Sequence, residues 1–126
     1  NVKHDVSVPV SSIPRMVEEG MAELGKAFPG CVGLIFGHIG DGNLHYNIAM
    51  PNEAGTQALM TQRKAVNDIV YEVVGRLGGS ISAEHGVGQQ KRDAIKLRKS
   101  AVEMELMQRV KDALDPQGIM NPGKVL

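Results

Sequence analysis

The chain has 126 residues, of which 42% are hydrophobic and 22% charged, the proportions of a single globular domain with a modest core. Fourteen basic and fourteen acidic residues cancel to a formal net charge of zero, aromatics make up 3%, and Trp is absent; this weighs against a nucleic-acid partner, which needs a basic surface or a stacking platform. One cysteine, Cys31, excludes an internal disulfide and reads as a buried, inert thiol, and no apolar run approaches the ~20 residues of a membrane span.

Val2 to Val10 alternates, with Val2, His4, Val6, Val8 and Val10 on one side and Lys3, Asp5 and Ser7 on the other. This predicts a half-buried strand ending near Pro9. His4 should face the helices or a strand end, and no role is assigned to it. Ser11 or Ser12 can cap the next helix, and Pro14 suits its first turn. Ile13, Met16, Val17, Met21, Leu24 and Phe28 recur at helical spacing until Pro29-Gly30. Cys31 to Ile39 reads as a second strand, with Val32, Leu34, Phe36 and His38 on one face. Leu44 to Met50 is a third, its Leu44, Tyr46, Ile48 and Met50 opposite to His45 and Asn47. Thr56 to Leu77 reads as one long helix with Leu59, Val66, Ile69, Val70, Val73 and Leu77 as its stripe, ended by Gly78-Gly79. Ser80 to Glu84 is a short fourth strand.

That order predicts an α+β fold, a ferredoxin-like β-α-β-β-α-β antiparallel sheet with helices on one face. A C-terminal helix and an extended tail are added to it. The polar face carrying Lys3, His38, His45, Asn47 and Glu84 is left open. After a Gly-rich turn, the basic run Lys91 to Lys99 reads as a solvated face. Ser100-Ala101-Val102-Glu103 is a capping box opening the last helix, with Val102, Leu106, Val110 and Leu114 expected inward. Residues 1–126 are read as one domain. The start at Asn1-Val2-Lys3, inside a strand and without an initiator Met, reads as part of a longer protein.

The chemistry concentrates in two Gly-rich stretches. In Gly37 to Asn47, an Asp41-Gly42 turn of type I′ would set His38 opposite His45. Opposed residues share a face, with Cβ atoms about 4.5–5.5 Å apart. His38, His45 and Glu84 form a two-histidine, one-carboxylate set of the kind used by open catalytic Zn²⁺ and non-haem Fe²⁺ sites. The other reading, equally open from spacing alone, is that these histidines bond locally and bind nothing. His85, next to Glu84, could act as a general base or simply bond to backbone. Lys3 could pair a carboxylate or be solvated. One difficulty is geometric. In a regular ferredoxin-like sheet His45 starts its strand and Glu84 ends its own, at opposite ends. A shared metal then needs strong twist, a short third strand, or an early exit of Glu84 from its strand.

Four stretches together resemble a known family: Lys3 to Pro9, Gly37 to Asn47, Gly79 to Gly88, and Asp115 to Lys124. In order and over nearly the whole chain, they look like the C-terminal part of FAD-linked oxidases of the D-lactate, glycolate and D-2-hydroxyglutarate dehydrogenase type. The resemblance implies a flavoenzyme in two parts that oxidises a D-2-hydroxy acid to the 2-oxo acid. An N-terminal domain holds FAD, and this part supplies the substrate side of the pocket. By position, His38, His45 and Glu84 match divalent-metal ligands, with Zn or Mn expected. His85 matches the base that takes the hydroxyl proton. Lys3 matches a lysine that binds substrate carboxylate, and Asn47 a polar residue beside the metal ligands, read here as substrate-binding. Asn121 would lie near the flavin. The implied partners are the FAD domain, the small 2-hydroxy acid and an electron acceptor (quinone, electron-transfer flavoprotein or cytochrome). A homodimer is left open, and nucleic acid is not expected. The expected location is cytoplasmic, with any membrane association through the acceptor. Two other classes remain: a stand-alone metal-dependent hydrolase, and a ferredoxin-like ligand-binding or interaction domain.

Overall fold

A computed structural model describes residues 1–126. The chain divides into two compact units, Asn1–His85 and Gly86–Leu126.

In the first unit the alternating valines build strand β1, Asp5–Ser7, and the apolar runs that follow build β2, Val32–His38, and β3, Asn43–Ala49. They form one antiparallel sheet in the order β1-β3-β2. A bridge between Val2 and Ile48, with Tyr46 N–H donating to the His4 carbonyl at 2.9 Å, extends the β1 pairing toward the N-terminus. Helix α1, Ile13–Ala27, starts after a 3-10 turn at Val10–Ser12, with Pro14 in its first turn where no N–H is missed. Ser12 stands at its N-cap without a side-chain cap bond.

The predicted single helix from Thr56 to Leu77 is two helices, α2, Glu53–Thr61, and α3, Arg63–Arg76. The ladder breaks at Gln62, whose ψ of 21° leaves the helical region. The first piece begins earlier than the apolar stripe suggests, because Asn52 caps it by accepting from Gly55 N–H at 2.7 Å.

Helices α1 and α3 pack together over the sheet face formed by Val6, Leu44, Tyr46 and Ile48. Met16, Leu24, Val66, Val70, Val73 and Val74 complete this core. Each large apolar side chain sealed there contributes about 1.5–3 kcal/mol. Tyr46 is fully buried, its hydroxyl donating to the Val17 carbonyl at 3.4 Å, and burial pushes its phenol well above the ordinary range. Gly20 makes room for it: a Cβ there would stand 2.4 Å from the Tyr46 hydroxyl. His4 does face the helices. Its Nδ1–H donates to the Tyr46 carbonyl at 2.7 Å, and its Nε2 meets the Asn67 side-chain amide at 2.9 Å. Cys31 is half-buried rather than buried, and desolvation raises its thiol pKa, which keeps it protonated and unreactive.

Two expectations about the sheet change. The fourth strand is not formed, so the sheet has three strands. Only Ser80 pairs, in an antiparallel bridge to Ser7 at the free side of β1, after which the chain bends away. The hairpin register also moves by two residues. His38 pairs with Asn43 and Phe36 with His45, joined by the four-residue loop 39–42. Asp41 and Gly42 N–H both point to the His38 carbonyl, and Asp41 Oδ1 accepts from Asn43 N–H at 3.0 Å, a side-chain turn that competes with the two-residue hairpin. A slip of two residues, unlike a slip of one, keeps every side chain on its expected face.

The second unit holds the short helix α4, Arg92–Lys96, and helix α5, Ala101–Leu114. The predicted capping box is formed: Ser100 and Glu103 each accept from or donate to the other's backbone and side chain. The Lys99 ammonium and the Ser100 groups hold the Glu103 carboxyl down at about 2. Asp115 ends α5 by accepting from Ile119 and Met120 N–H at 2.9 Å, and Lys111 beside it lowers its carboxyl pKa. The α5 stripe does not point inward. Val102, Leu106, Val110 and Leu114 are all exposed. No helix is long and apolar enough to cross a membrane.

Candidate functional site

The register of the three strands arranges the face opposite the helices in rows. Asp5, His45 and Phe36 stand side by side across β1, β3 and β2, and Ser7, Asn43 and His38 form the next row. Continued from the Val2–Ile48 bridge, the same register sets Lys3 beside Asn47, which in turn opposes Leu34. Residues opposed in this way share a face. The face is mixed rather than purely polar, since Val32, Leu34 and Phe36 are exposed along β2.

What reaches this face from beyond β1 is the bend after Ser80. There the Asp5 carboxylate, 3% exposed, accepts through Oδ2 from three successive backbone N–H groups, Ala83 at 3.0 Å, Glu84 at 3.0 Å and His85 at 2.9 Å. The segment is thereby drawn over the row that contains His45. Glu84 Oε1 lies 3.2 Å from His45 Nε2 and 3.7 Å from His85 Nε2. The His45 and His85 rings are 5.6 Å apart, centre to centre. This resolves the strand-end difficulty through the early exit of Glu84: it never continues a fourth strand, so it need not sit at the far end of the sheet.

Donor atoms of Asp5, His45, Glu84 and His85 all lie within 4.8 Å of one another, and a metal ion could be held there. The set of nitrogen and carboxylate donors suits Zn²⁺ or Mn²⁺. His38 is not among the four. It stands one row along, its ring centre 5.8 Å from that of His45, exposed at the end of β2. His45 is the most enclosed of the histidines on this face, its side chain 16% exposed and its ring tilted against Phe36 with centres 4.9 Å apart. Lys3 is exposed and Asn47 half-buried.

Asn121 belongs to the second unit. It adopts a left-handed φ of 47°, which asparagine tolerates, and lines an open apolar groove with Leu106, Val110, Leu114 and Met120. The residue that sequence reasoning missed is Asp5. Its signal was an acidic residue in mid-strand, on the same side as Lys3.

The family model described as FAD linked oxidases, C-terminal domain, matches residues 1–125. The chain belongs to that family. Among its relatives, the D-2-hydroxyglutarate dehydrogenase of Stutzerimonas stutzeri (strain A1501) is 46% identical over 123 residues, which are 98% of this chain and 26% of that protein. The protein of the same name from Xanthomonas citri pv. viticola is 40% identical over 123 residues, 98% of this chain and 26% of that protein. The mitochondrial D-2-hydroxyglutarate dehydrogenase of Danio rerio is 41% identical over 124 residues, 98% of this chain and 22% of that protein. This member of the FAD-linked oxidase family thus spans about a quarter of the length of the curated relatives it matches.

Proposed function

We propose that residues 1–126 are the substrate- and metal-binding C-terminal domain of an FAD-dependent dehydrogenase that oxidises a D-2-hydroxy acid, of the 2-hydroxyglutarate type, to the 2-oxo acid. The observation that carries the reading is the convergence of His45, Glu84 and His85 on one sheet face, in a chain of this family whose relatives are named for that activity.

In this reading Lys3 and Asn47, set beside each other where the register continues from the Val2–Ile48 bridge, bind and orient a substrate carboxylate. An ammonium supplies the charge and the amide the direction. His85 accepts the hydroxyl proton at a ring nitrogen, with Glu84 beside it to balance the imidazolium that forms. Leu34 and Phe36 border the face with apolar surface that displaces water. His45 and Glu84, with His38 as the third ligand expected from the family resemblance, would hold a divalent metal, which when bound supplies Lewis-acid polarisation of the hydroxyl oxygen. The loop 39–42 runs from strand to strand, so it presents no helix N-terminus to a pyrophosphate. FAD, which supplies the hydride acceptor, is assigned, from the family resemblance, chiefly to an N-terminal domain of the same protein, with Asn121 the residue of this chain that would meet it. The reduced flavin is reoxidised by a quinone, an electron-transfer flavoprotein or a cytochrome.

The test is His85→Ala in the full-length, FAD-loaded protein. The variant should bind FAD normally and lose substrate-dependent flavin reduction. Reduction at the wild-type rate removes His85 from the role of base.

A further inference from the structure

We propose that Asp5 is a positioning residue: its buried carboxylate gathers three consecutive backbone amides and so holds Glu84 and His85 against His45. The inference deepens the reading of Glu84 and His85 given above and rests on it.

Past Ser80 the segment has no strand pairing to fix it. The Ser80–Ser7 bonds, at 2.8 and 2.9 Å, are the last ladder contacts, and Ser80 Oγ joins them by donating to the Ser82 carbonyl at 2.9 Å. From Ala83 to His85, the backbone N–H groups turn to one oxygen, Asp5 Oδ2. At Gly86, φ of 73° turns the chain again. A carboxylate sealed from water is costly unless hydrogen bonds replace its hydration, and bonds to an ionised acceptor are about twice as strong as neutral ones. Asp5 and the 83–85 segment therefore stabilise each other's placement. The far end of the link is equally fixed, because Asp5 is the direct cross-strand partner of His45. A single side chain thus ties the Glu84–His85 backbone to the strand row that carries His45. Asp5 thus meets the Glu84–His85 segment through the backbone, by way of Oδ2, while Glu84 meets His45 and His85 through its side chain.

The experiment uses the full-length, FAD-loaded protein as wild type, Asp5→Ala, Asp5→Asn and His85→Ala. It reads hydrogen exchange of the backbone amides, FAD content, and the rate of flavin reduction by D-2-hydroxyglutarate across substrate concentrations. In Asp5→Ala, the amides of Ala83, Glu84 and His85 should exchange faster, while those of Tyr46 and Ile48 keep their protection. The limiting reduction rate should fall about 10²-fold, the effect of a reacting group displaced by an ångström, with substrate affinity close to wild type. Asp5→Asn, which keeps one oxygen for the amides, should recover most of that rate. Wild-type exchange at 83–85 in Asp5→Ala, or a wild-type limiting rate, overturns the proposal. So does a loss of protection at Tyr46 and Ile48 in both Asp5 variants, which would assign Asp5 to folding alone. His85→Ala separates the two levels: if it reduces flavin normally, the role of His85 fails, while the exchange pattern still decides whether Asp5 holds the segment.

Discussion

Gly42 is the position where the hairpin carrying both His38 and His45 can be stressed most cleanly. Its φ is +77°, and a Cβ built there would stand 2.0 Å from the Val8 carbonyl oxygen, a backbone atom that cannot rotate away. Val8 N–H in turn donates to the Gly42 carbonyl at 3.1 Å, so the turn and the end of β1 are locked together. For Gly42→Ala, a left-handed conformation costs about 1–2 kcal/mol and overpacking against fixed backbone about 1–3 kcal/mol, together about 2–5 kcal/mol. That is a large part of the about 5–15 kcal/mol that holds a domain folded. Gly40→Ala is the internal control, since nothing lies within 4 Å of a Cβ there and its φ is not positive. Native-state hydrogen exchange of the Tyr46 and Ile48 amides, both bonded into the β1–β3 pairing, reads the opening of the sheet. Gly42→Ala should speed their exchange by at least about 30-fold, tenfold for each ~1.4 kcal/mol, and Gly40→Ala should leave it nearly unchanged. Equal exchange in the two variants would refute the argument that the Gly42–Val8 contact sets the turn.

Two further outcomes follow from the same structure. Dialysis of the full-length protein against a chelator should lower flavin reduction, with recovery on adding Zn²⁺ or Mn²⁺, and Glu84→Gln should retain less metal by elemental analysis; full activity after verified metal removal contradicts the ligand assignment. Acid should loosen the α5 unit. The Glu103 and Asp115 carboxyls are both held below their unfolded values of 4.5 and 3.8, so their contributions are complete above those values and are lost as pH falls through the lower folded ones. Exchange of the Asp115 and Met104 amides should therefore rise as pH drops from about 5 toward 2, beyond the intrinsic pH dependence of exchange. A pH-independent opening would contradict the capping argument.

Much of the fold is legible because it rests on short-range rules. Alternation found β1, β2 and β3, the Ser100–Glu103 box found the start of α5, and the 3.6-residue stripe found the buried faces of α1 and α3. Four things were not legible. The predicted fourth strand stops at the Ser80–Ser7 bridge because the amides that follow turn to Asp5. The break at Gln62 leaves no mark in the apolar periodicity, which runs straight through it, and the early start of α2 rests on the Asn52 cap rather than on the stripe. The hairpin register turns on an Asp41 side chain bonding Asn43, which a two-residue turn signal cannot anticipate. The outward stripe of α5 reads from sequence like any core stripe, because periodicity identifies an apolar face but not what covers it. At the site, His45, Glu84 and His85 could be singled out from residue type and spacing. Their meeting could not, because it depends on a bend created by Asp5 78 to 80 positions away in sequence.

The central claim is that this face serves a flavin-linked oxidation of a D-2-hydroxy acid. The most direct test is the visible absorption of the full-length protein, followed anaerobically as a panel of D- and L-2-hydroxy acids is added. The account predicts an oxidised flavin spectrum that D-2-hydroxyglutarate bleaches, with the L-enantiomer ineffective and His85→Ala unresponsive. A protein without flavin absorption, or a flavin that no 2-hydroxy acid in the panel reduces, would contradict it.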